Sequence, residues 1–181
     1  MNIAKINPCD IANGAGVRVV VFVSGCRRHC PGCHNEAAWD FGYGEPFCGK
    51  TERYLRKLLS PDYVDGITIM GGEPFEKENI PGVAELVCIA ADMGKSIWLY
   101  SGYTVEELVR KAQKNSDIRY ILWNADVLVD GPYVEAERDI TLRFRGSRNQ
   151  RIIDLHTLHV RGKNHISFEI WKGEKNDGEK D

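Results

Sequence analysis

The chain has 181 residues and a formal net charge of −2 at neutral pH, with 43% hydrophobic residues. This length is that of one domain able to bury a substantial core. The balanced charge, without a long basic run, argues against nucleic acid as the main partner. No segment has the apolar length needed to cross a bilayer, and the N-terminus lacks the apolar stretch of a signal peptide. We therefore expect a cytoplasmic protein, in which thiols stay reduced.

Strands and helices are predicted to alternate along the chain. A nearly unbroken run of β-branched residues, 17–23, is typical of a strand buried on both faces. Thr104 followed by Glu107 forms a capping box at the start of a helix. The repeated strand–turn–helix order predicts an α/β fold with a parallel sheet, as an incomplete barrel with its turns at one rim. Strands are predicted over 2–6, 17–23, 66–70, 95–100 and 126–130, and helices over 51–59, 83–93 and 104–114.

Three cysteines fall in one short loop directly after the strand predicted over 17–23. Cys26, Cys30 and Cys33 have the spacing Cys-x3-Cys-x2-Cys. Pro31 disfavours a helix at Cys30, and Gly32 permits a turn, so the loop can wrap around a compact group. Thiolates are soft ligands that suit iron–sulfur clusters or zinc. Because a cubane cluster usually takes four cysteines, three would leave one iron with an open position, as in catalytic metal sites.

A structural zinc site is the alternative interpretation of this loop. Such a site would be of the Cys3His type, with either His29 or His34 as the fourth ligand. Disulfides are not expected in a reducing compartment. Of the remaining cysteines, Cys88 lies in an apolar helical pattern and is expected in the core. Cys9 and Cys48 lie in turn-rich sequence and are expected to be free thiols.

Glycines and small polar residues follow two later strands. Gly71-Gly72-Glu73-Pro74 comes directly after the strand over 66–70. Two glycines at a strand end let a ligand approach the backbone, although a simple turn into a helix would explain them equally well. Ser101 follows the next strand, and Asp126 and Asp130 bracket the one after it. We expect these three at the active rim, where structural hydrogen bonding would also explain each of them.

The last third of the chain has three further features. Arginines 138, 143, 145, 148 and 151 are concentrated in one stretch, which would hold an anion such as a carboxylate or form a solvated basic turn. Residues 157–171 have the pattern of a β-hairpin. The polar residues 172–181 are expected to be disordered.

The cysteine motif, together with Gly71-Gly72-Glu73-Pro74, resembles that of the radical S-adenosylmethionine enzymes. More narrowly, the chain is similar to the glycyl-radical activating enzymes of anaerobic ribonucleoside-triphosphate reductases, over most of residues 8–153. The resemblance implies an incomplete (βα) barrel of the radical S-adenosylmethionine type in residues 1–155, followed by a C-terminal extension over 156–181. The matching stretches include Asp10-Ile-Ala-Asn-Gly, Phe22-Val-Ser-Gly-Cys, Ile97-Trp-Leu-Tyr-Ser-Gly-Tyr, Val127-Leu-Val-Asp-Gly-Pro-Tyr and Phe144-Arg-Gly-Ser-Arg-Asn-Gln.

The resemblance also implies cofactors, partners and a reaction. A [4Fe-4S] cluster would be held by the three cysteines, and its open iron would chelate the amino and carboxylate groups of S-adenosylmethionine. One electron from the reduced cluster would release a 5′-deoxyadenosyl radical, which takes hydrogen from a glycine of the large reductase subunit. A flavodoxin or ferredoxin would supply the electron. The implied metal ligands are Cys26, Cys30 and Cys33, and the implied cofactor-binding residues are Gly32, Cys33, His34, Gly71, Gly72, Glu73 and Ser101.

Two of these residues carry narrower expectations. His34 is assigned a backbone contact to the cofactor's adenine, without an acid–base role. A side chain placed at Gly72 is expected to crowd the cofactor or strain the backbone.

Other functions compete with this one. Another small radical enzyme, such as a pyruvate formate-lyase activator or a deazaguanine-type synthase, would share the cysteine motif. A zinc-stabilised binding module without catalysis belongs to a different class, and it would contain about one zinc and no iron or sulfide.

Overall fold

The computed structural model describes residues 1–161 and 165–173, which form one sheet with helices packed against it. The sheet has eight strands in the order β3-β1-β2-β4-β5-β6-β7-β8. The strands are β1 (Asn2–Asp10), β2 (Arg18–Val23), β3 (Glu45–Pro46), β4 (Gly66–Gly71), β5 (Ser96–Ser101), β6 (Val127–Asp130), β7 (Arg151–Arg161) and β8 (His165–Ile170). The helices are α1 (Gly49–Leu59), α2 (Ile80–Asp92), α3 (Val105–Ala112) and α4 (Ser116–Asn124), with short 3-10 turns at Glu36–Trp39 and Glu135–Glu137.

The sheet is mixed, with a parallel centre and antiparallel edges. β2, β4, β5 and β6 pair in parallel, as the strand–turn–helix order predicts. β1 pairs antiparallel with β2, and β7 pairs antiparallel with β6. These outer strands return without a crossover helix, which antiparallel pairing permits. The α/β class is confirmed, while the sheet differs from the expected one in being parallel only at its centre.

The two faces of the sheet have different surroundings. On one face, strand residues such as Val19, Ile67 and Leu99 pack with the helices in the main core. On the other face, Trp98 and Val129 belong to a second, smaller cluster. Because alternate residues of a strand point to opposite faces, the helices cover one side and leave the other free for a cavity. β2 is buried on both faces, as predicted from its continuous apolar run.

Helix α3 has the predicted start, whereas α4 was not predicted. The Thr104 side chain accepts a hydrogen bond from Glu107 N, and the Glu107 carboxylate accepts one from Thr104 N, so the capping box is present. α4 begins after Asn115, whose side chain accepts from the N–H groups of residues 117 and 118. Its sequence, Ser-Asp-Ile-Arg-Tyr-Ile-Leu-Trp-Asn, is short and poor in strong helix formers, so the helix depends on tertiary packing.

None of the six cysteines, all of which lie in the described residues, forms a disulfide. Cys9 and Cys48 are exposed, in keeping with their turn-rich surroundings. Cys88 is also exposed, so the prediction that it lies in the core is wrong. Its neighbours Val87 and Ile89 are buried, and Cys88 lies between them on the solvent-facing side of α2.

The predicted C-terminal hairpin is present and widens the sheet, although its first strand starts before the expected residue 157. β7 begins at Arg151, pairs with β6, and continues into antiparallel pairing with β8. Apolar residues of the hairpin, including Leu158 and Phe168, pack against the main core. Residues 162–164 and 174–181, which include most of the tail expected to be disordered, lie outside the described residues. Within the part of the chain that the structure describes, no helix is long and apolar enough to span a membrane.

Candidate functional site

A cavity of about 590 Å³ lies where the four parallel strands end. Cys26 follows β2, Gly71 ends β4, Ser101 ends β5 and Gly131 follows β6, and all four line this cavity. Pockets of roughly 300–1,000 Å³ are typical of cofactor and small-molecule sites. In open α/β sheets, ligands bind outside the carboxyl ends of the strands. The position and size of the cavity therefore suit a bound cofactor.

The three motif cysteines all line this cavity. Cys26 is the most buried, with 9% of its surface exposed. Burial raises the pKa of the Cys26 thiol, and hydrogen bonds from the backbone of Arg28 and His29 oppose that shift. A metal would reverse this balance, because a coordinating thiol is deprotonated outright. Burial therefore disfavours an isolated thiolate charge at Cys26.

A tight turn brings the other two cysteines together. Cys33 N donates to Cys30 O at 3.1 Å, and Gly32 between them has a φ of +70°, which glycine adopts readily. Asn35 N lies 3.4 Å from Cys33 Sγ as a hydrogen-bond donor. The three cysteines of the loop therefore line one shared cavity. This donor set of three soft sulfurs fits an iron–sulfur cluster.

Both histidines of the motif pack on aromatic rings. His29 stacks on Trp39, with ring centroids 4.4 Å apart and an interplanar angle of 18°. His34 is tilted against Tyr133 at 5.9 Å. Within residues 1–161 and 165–173, no three Cys, His, Asp or Glu side chains form a group that could hold a single metal ion. His29 also has a φ of +46°, and such strain in a residue with a side chain is concentrated at functional sites.

The paired glycines at the end of β4 lie against the backbone of β2 and the cysteine loop. Gly71 has a φ of +116°, and a Cβ there would lie 2.7 Å from Val23 N. A Cβ at Gly72 would lie 2.6 Å from Gly25 O and 2.9 Å from Ala38 O. Real side chains do not tolerate contacts this close with backbone atoms. A side chain at Gly72 would therefore meet the cysteine loop before it reached a cofactor.

Glu73 joins the end of β4 to the end of β5. Its side chain is only 1% exposed, and its Oε1 accepts hydrogen bonds from Ser101 Oγ at 2.8 Å and Phe75 N at 3.0 Å. Oε2 accepts from Gly102 N at 2.8 Å and lies 3.7 Å from Arg28 Nε. Burial raises the pKa of the Glu73 carboxyl, and these donors together with the Arg28 charge oppose the shift. The sequence did not indicate that Glu73 and Ser101 are partners.

Arg28, which belongs to the cysteine loop, lies beside the Glu73 carboxylate. Its guanidinium lies 4.1 Å from the centre of the Tyr103 ring, and its Nη2 lies 3.9 Å from Glu107 Oε2. Its Nε is buried and has no hydrogen-bond partner among the described residues. Arg28 also lines the cavity. Arg28 was not among the residues predicted from the sequence, although its place between two metal-ligand candidates was a signal that could have identified it.

Replacing Arg28 with methionine is expected to destabilise the protein more at pH 8 than at pH 5. Burial already places the pKa of Glu73 above its ordinary value, and removing the nearby cation raises it further. A carboxyl with a raised folded-state pKa contributes stability below its unfolded pKa and loses that contribution as pH rises. We expect a loss of about 1–3 kcal/mol in the free energy of unfolding at pH 8, measured by urea denaturation.

Arg148→Met is the matched control for this comparison. Arg148 also pairs with a carboxylate, since its Nη2 lies 3.0 Å from Asp139, but it is 72% exposed. The pKa of Asp139 is lowered to about 2, so this pair does not titrate between pH 5 and pH 8. An exposed pair contributes only about 0–1 kcal/mol. Equal losses at both pH values for Arg28→Met would show that Arg28 does not act through the Glu73 charge.

Of the five clustered arginines, Arg145 is the one that lines the cavity. Its Nη1 donates to Gln150 O at 2.8 Å, while its Nε is buried without a hydrogen-bond partner in the described residues. Arg148 pairs with Asp139, and Arg151 pairs with Glu106 and Asp130. Arg145 is therefore the arginine of this stretch that best fits the expected anion site, because its Nε has no partner in the part of the chain that the structure describes and suits a carboxylate.

The two aspartates at β6 have structural partners at opposite ends of the strand. Asp130 is fully buried and accepts from Val105 N at 2.7 Å as well as from Arg151. Asp126 precedes β6 and accepts from Ile97 N at 2.6 Å, at the start of β5. It therefore lies away from the carboxyl ends of the strands, and the prediction that Asp126 is at the active rim is wrong. The strand predicted over 126–130 included both aspartates, so the sequence did not show that they lie at opposite ends of β6.

Comparison with known proteins identifies the family. Residues 12–153 match the model of the 4Fe-4S single cluster domain. The chain is 38% identical over 154 residues to the anaerobic ribonucleoside-triphosphate reductase-activating protein of Escherichia coli K12, covering 83% of this chain and 96% of that one. It is 36% identical over 156 residues to the protein of that name from Enterobacteria phage T4, covering 84% and 93% of the two chains. The chain therefore belongs to the family of anaerobic ribonucleoside-triphosphate reductase-activating proteins.

Proposed function

We propose that this chain activates an anaerobic ribonucleoside-triphosphate reductase by forming a glycyl radical on it, with a [4Fe-4S] cluster and S-adenosylmethionine as cofactors. The observation that carries the proposal is the convergence of three cysteines with the ends of four parallel strands on one cavity. The names of the relatives support the identity of the partner. When bound, these cofactors would supply a 5′-deoxyadenosyl radical, by one-electron cleavage of the sulfonium, that removes hydrogen from a partner glycine.

The cysteine loop would hold the cluster. Cys26, Cys30 and Cys33 are its proposed ligands, and three thiolates would leave one iron for the second cofactor. The proposed adenine contacts are the backbone groups of Gly32, Cys33 and His34. The aromatic partner of His34, Tyr133, also lines the cavity and supports that part of the loop. The protein's task is to bind, orient and shield the cofactors, since the chemistry is theirs.

The strand ends would orient the bound S-adenosylmethionine. Gly71 and Gly72 line the cavity and expose backbone to it, which suits the cofactor's ammonium group. Glu73 and Ser101 were expected to contact the cofactor directly. Both oxygens of Glu73 accept from protein donors, and the Ser101 hydroxyl also accepts from Tyr103 N at 3.0 Å. We therefore assign Glu73 and Ser101 the role of fixing the two strand ends.

The fold and domain assignments form part of the proposal. The parallel centre of the sheet, with helices on one face and the cavity at the strand ends, supports an incomplete barrel of the radical S-adenosylmethionine type. We propose residues 1–155 as the activating domain and 156–181 as an extension, since the family model ends at residue 153. A flavodoxin or ferredoxin is the proposed electron donor, and the cytoplasm, which keeps thiols reduced, is the proposed location.

The test is activation of the reductase in an anaerobic reaction. The reconstituted chain, a reductant and S-adenosylmethionine are mixed with the anaerobic reductase of the same organism. We expect one glycine-centred radical on the reductase, seen by electron paramagnetic resonance as a doublet that collapses when the glycine Cα is deuterated. Deuterium should pass from that glycine into 5′-deoxyadenosine. The control is the reductase with its radical-bearing glycine changed to alanine, which should give no stable radical.

Two outcomes would contradict the proposal. Formation of 5′-deoxyadenosine without deuterium transfer or a protein radical would indicate a small-molecule substrate, as in a deazaguanine-type synthase. Activation of a pyruvate formate-lyase instead of the reductase would change the partner but keep the chemistry.

A further inference from the structure

Three aromatic rings connect the C-terminal hairpin to the wall of the cavity. Trp171 directly follows β8, and its backbone N donates to Ile152 O at 2.9 Å. The Trp171 ring meets Trp98 edge-on with centroids 4.9 Å apart, and meets Phe144 at 6.1 Å. Trp98 and Phe144 are themselves 5.2 Å apart at an interplanar angle of 80°. Edge-to-face pairs of this kind are favourable beyond the area that they bury.

Phe144 lines the cavity in a conformation that needs support. Its φ is +58°, which is unfavourable for a residue with a side chain. Tyr100, also in the cavity wall, donates its hydroxyl to Phe144 O at 2.8 Å. Burial raises the pKa of Tyr100, so this hydroxyl keeps its proton over the physiological range. Strained residues persist where their surroundings over-determine them, and here the surroundings are Tyr100, Trp98 and Trp171.

The residue after Phe144 is Arg145, the arginine of this stretch that lines the cavity. Its buried Nε has no hydrogen-bond partner within the described residues. Because the two residues are adjacent, the support that fixes the backbone of Phe144 also fixes where the Arg145 side chain starts, and the hydrogen bond from Arg145 Nη1 to Gln150 O holds the guanidinium.

We propose that Trp171 is a positioning residue, which backs Phe144 and so holds Arg145 toward an anionic group in the cavity. Under the proposed function, on which this inference rests, that group is the carboxylate of S-adenosylmethionine. Trp171 lies beyond residues 12–153, which the family model matches. The C-terminal extension therefore contributes to cofactor binding through the aromatic cluster.

The test compares three variants of the full chain: Trp171→Ala, Trp171→Phe and Trp123→Ala. Trp123 is the matched control, since it is a tryptophan on α4 that is 66% exposed. Two measurements are made on each protein. Hydrogen–deuterium exchange reports the protection of residues 139–150 without cofactors. Equilibrium dialysis reports the affinity of the reconstituted protein for S-adenosylmethionine, with iron and sulfide content determined in parallel.

Trp171→Ala should exchange faster in residues 139–150 and bind S-adenosylmethionine about tenfold more weakly, the effect expected from losing two aromatic contacts. Its iron and sulfide content should match that of the unmodified chain, because the cysteine loop is untouched. Trp171→Phe keeps an aromatic ring and should restore most of the affinity. If Trp171→Ala acted only by lowering the stability of the whole protein, exchange would rise throughout the chain. Trp123→Ala should change neither measurement.

Unchanged affinity and exchange in Trp171→Ala would overturn the inference, as would equal losses in Trp171→Ala and Trp123→Ala. The two proposals fail separately. If the unmodified chain does not bind S-adenosylmethionine, the proposed function is wrong, and faster exchange confined to residues 139–150 would still support the positioning of that segment by Trp171.

Discussion

Alanine at Cys26, Cys30 or Cys33 is expected to abolish assembly of the iron–sulfur cluster. The three thiols line one cavity, and each variant would remove one of the three proposed protein ligands of the cluster. The measurement is iron, acid-labile sulfide and visible absorbance after anaerobic reconstitution. We expect each variant to fall to the background of a protein without a cluster. Folding should be retained, because Cys30 and Cys33 are only partly buried and Cys26 is replaced by a smaller apolar residue.

Cys9, Cys48 and Cys88 provide the matched controls. All three are exposed free thiols, and none of them lines the cavity. Alanine at any of these positions should leave iron and sulfide content unchanged. Loss of the cluster in the Cys9 or Cys48 variant would indicate a fourth protein ligand, and the argument for an open iron would fail. About one zinc with no iron or sulfide in the unmodified chain would instead support the binding module without catalysis.

The central strands and the cysteine loop were predictable because their signals are local. The apolar run of β2 and the three cysteines after it lie within a few residues of each other, so spacing alone places the thiols at a strand end. The same holds for Gly71 and Gly72 after β4. Since parallel strands end at the same edge, these separate stretches could be expected to meet, and the cavity brings them together.

Contacts between distant stretches were not predictable from the same signals. The bonds between Glu73 and Ser101 join residues that are 28 positions apart, and nothing in either stretch specifies the other. Trp171 could be recognised as the end of a hairpin, but its contact with Trp98 depends on how β7 is placed beside β6. Cys88 was misplaced because a helix with buried neighbours on both sides can still present one residue to solvent.

Valine at Gly72 is expected to disrupt the cysteine loop and to lower cluster loading. The Cβ position is 2.6 Å from Gly25 O and 2.9 Å from Ala38 O, so the loop backbone must move. The residues that follow β4 bond to the end of β2 and to the loop, from Gly72 N to Val23 O at 2.7 Å and from Glu73 N to Gly25 O at 2.9 Å. Overpacking of this kind costs about 1–3 kcal/mol, which urea denaturation would detect. Iron content after reconstitution reports whether the thiols still converge.

Gly49→Ala is the control for adding a side chain at a glycine. Gly49 begins α1, and its nearest contact would be an ordinary 3.6 Å to the end of the flexible Arg53 side chain. Alanine favours the helix by up to about 1 kcal/mol, so stability and cluster loading should not fall. The contrast between the two glycines isolates the effect of the close approach at Gly72. Full cluster loading in Gly72→Val, with a loss only of affinity for S-adenosylmethionine, would mean that the side chain crowds the cofactor and leaves the cysteine loop in place.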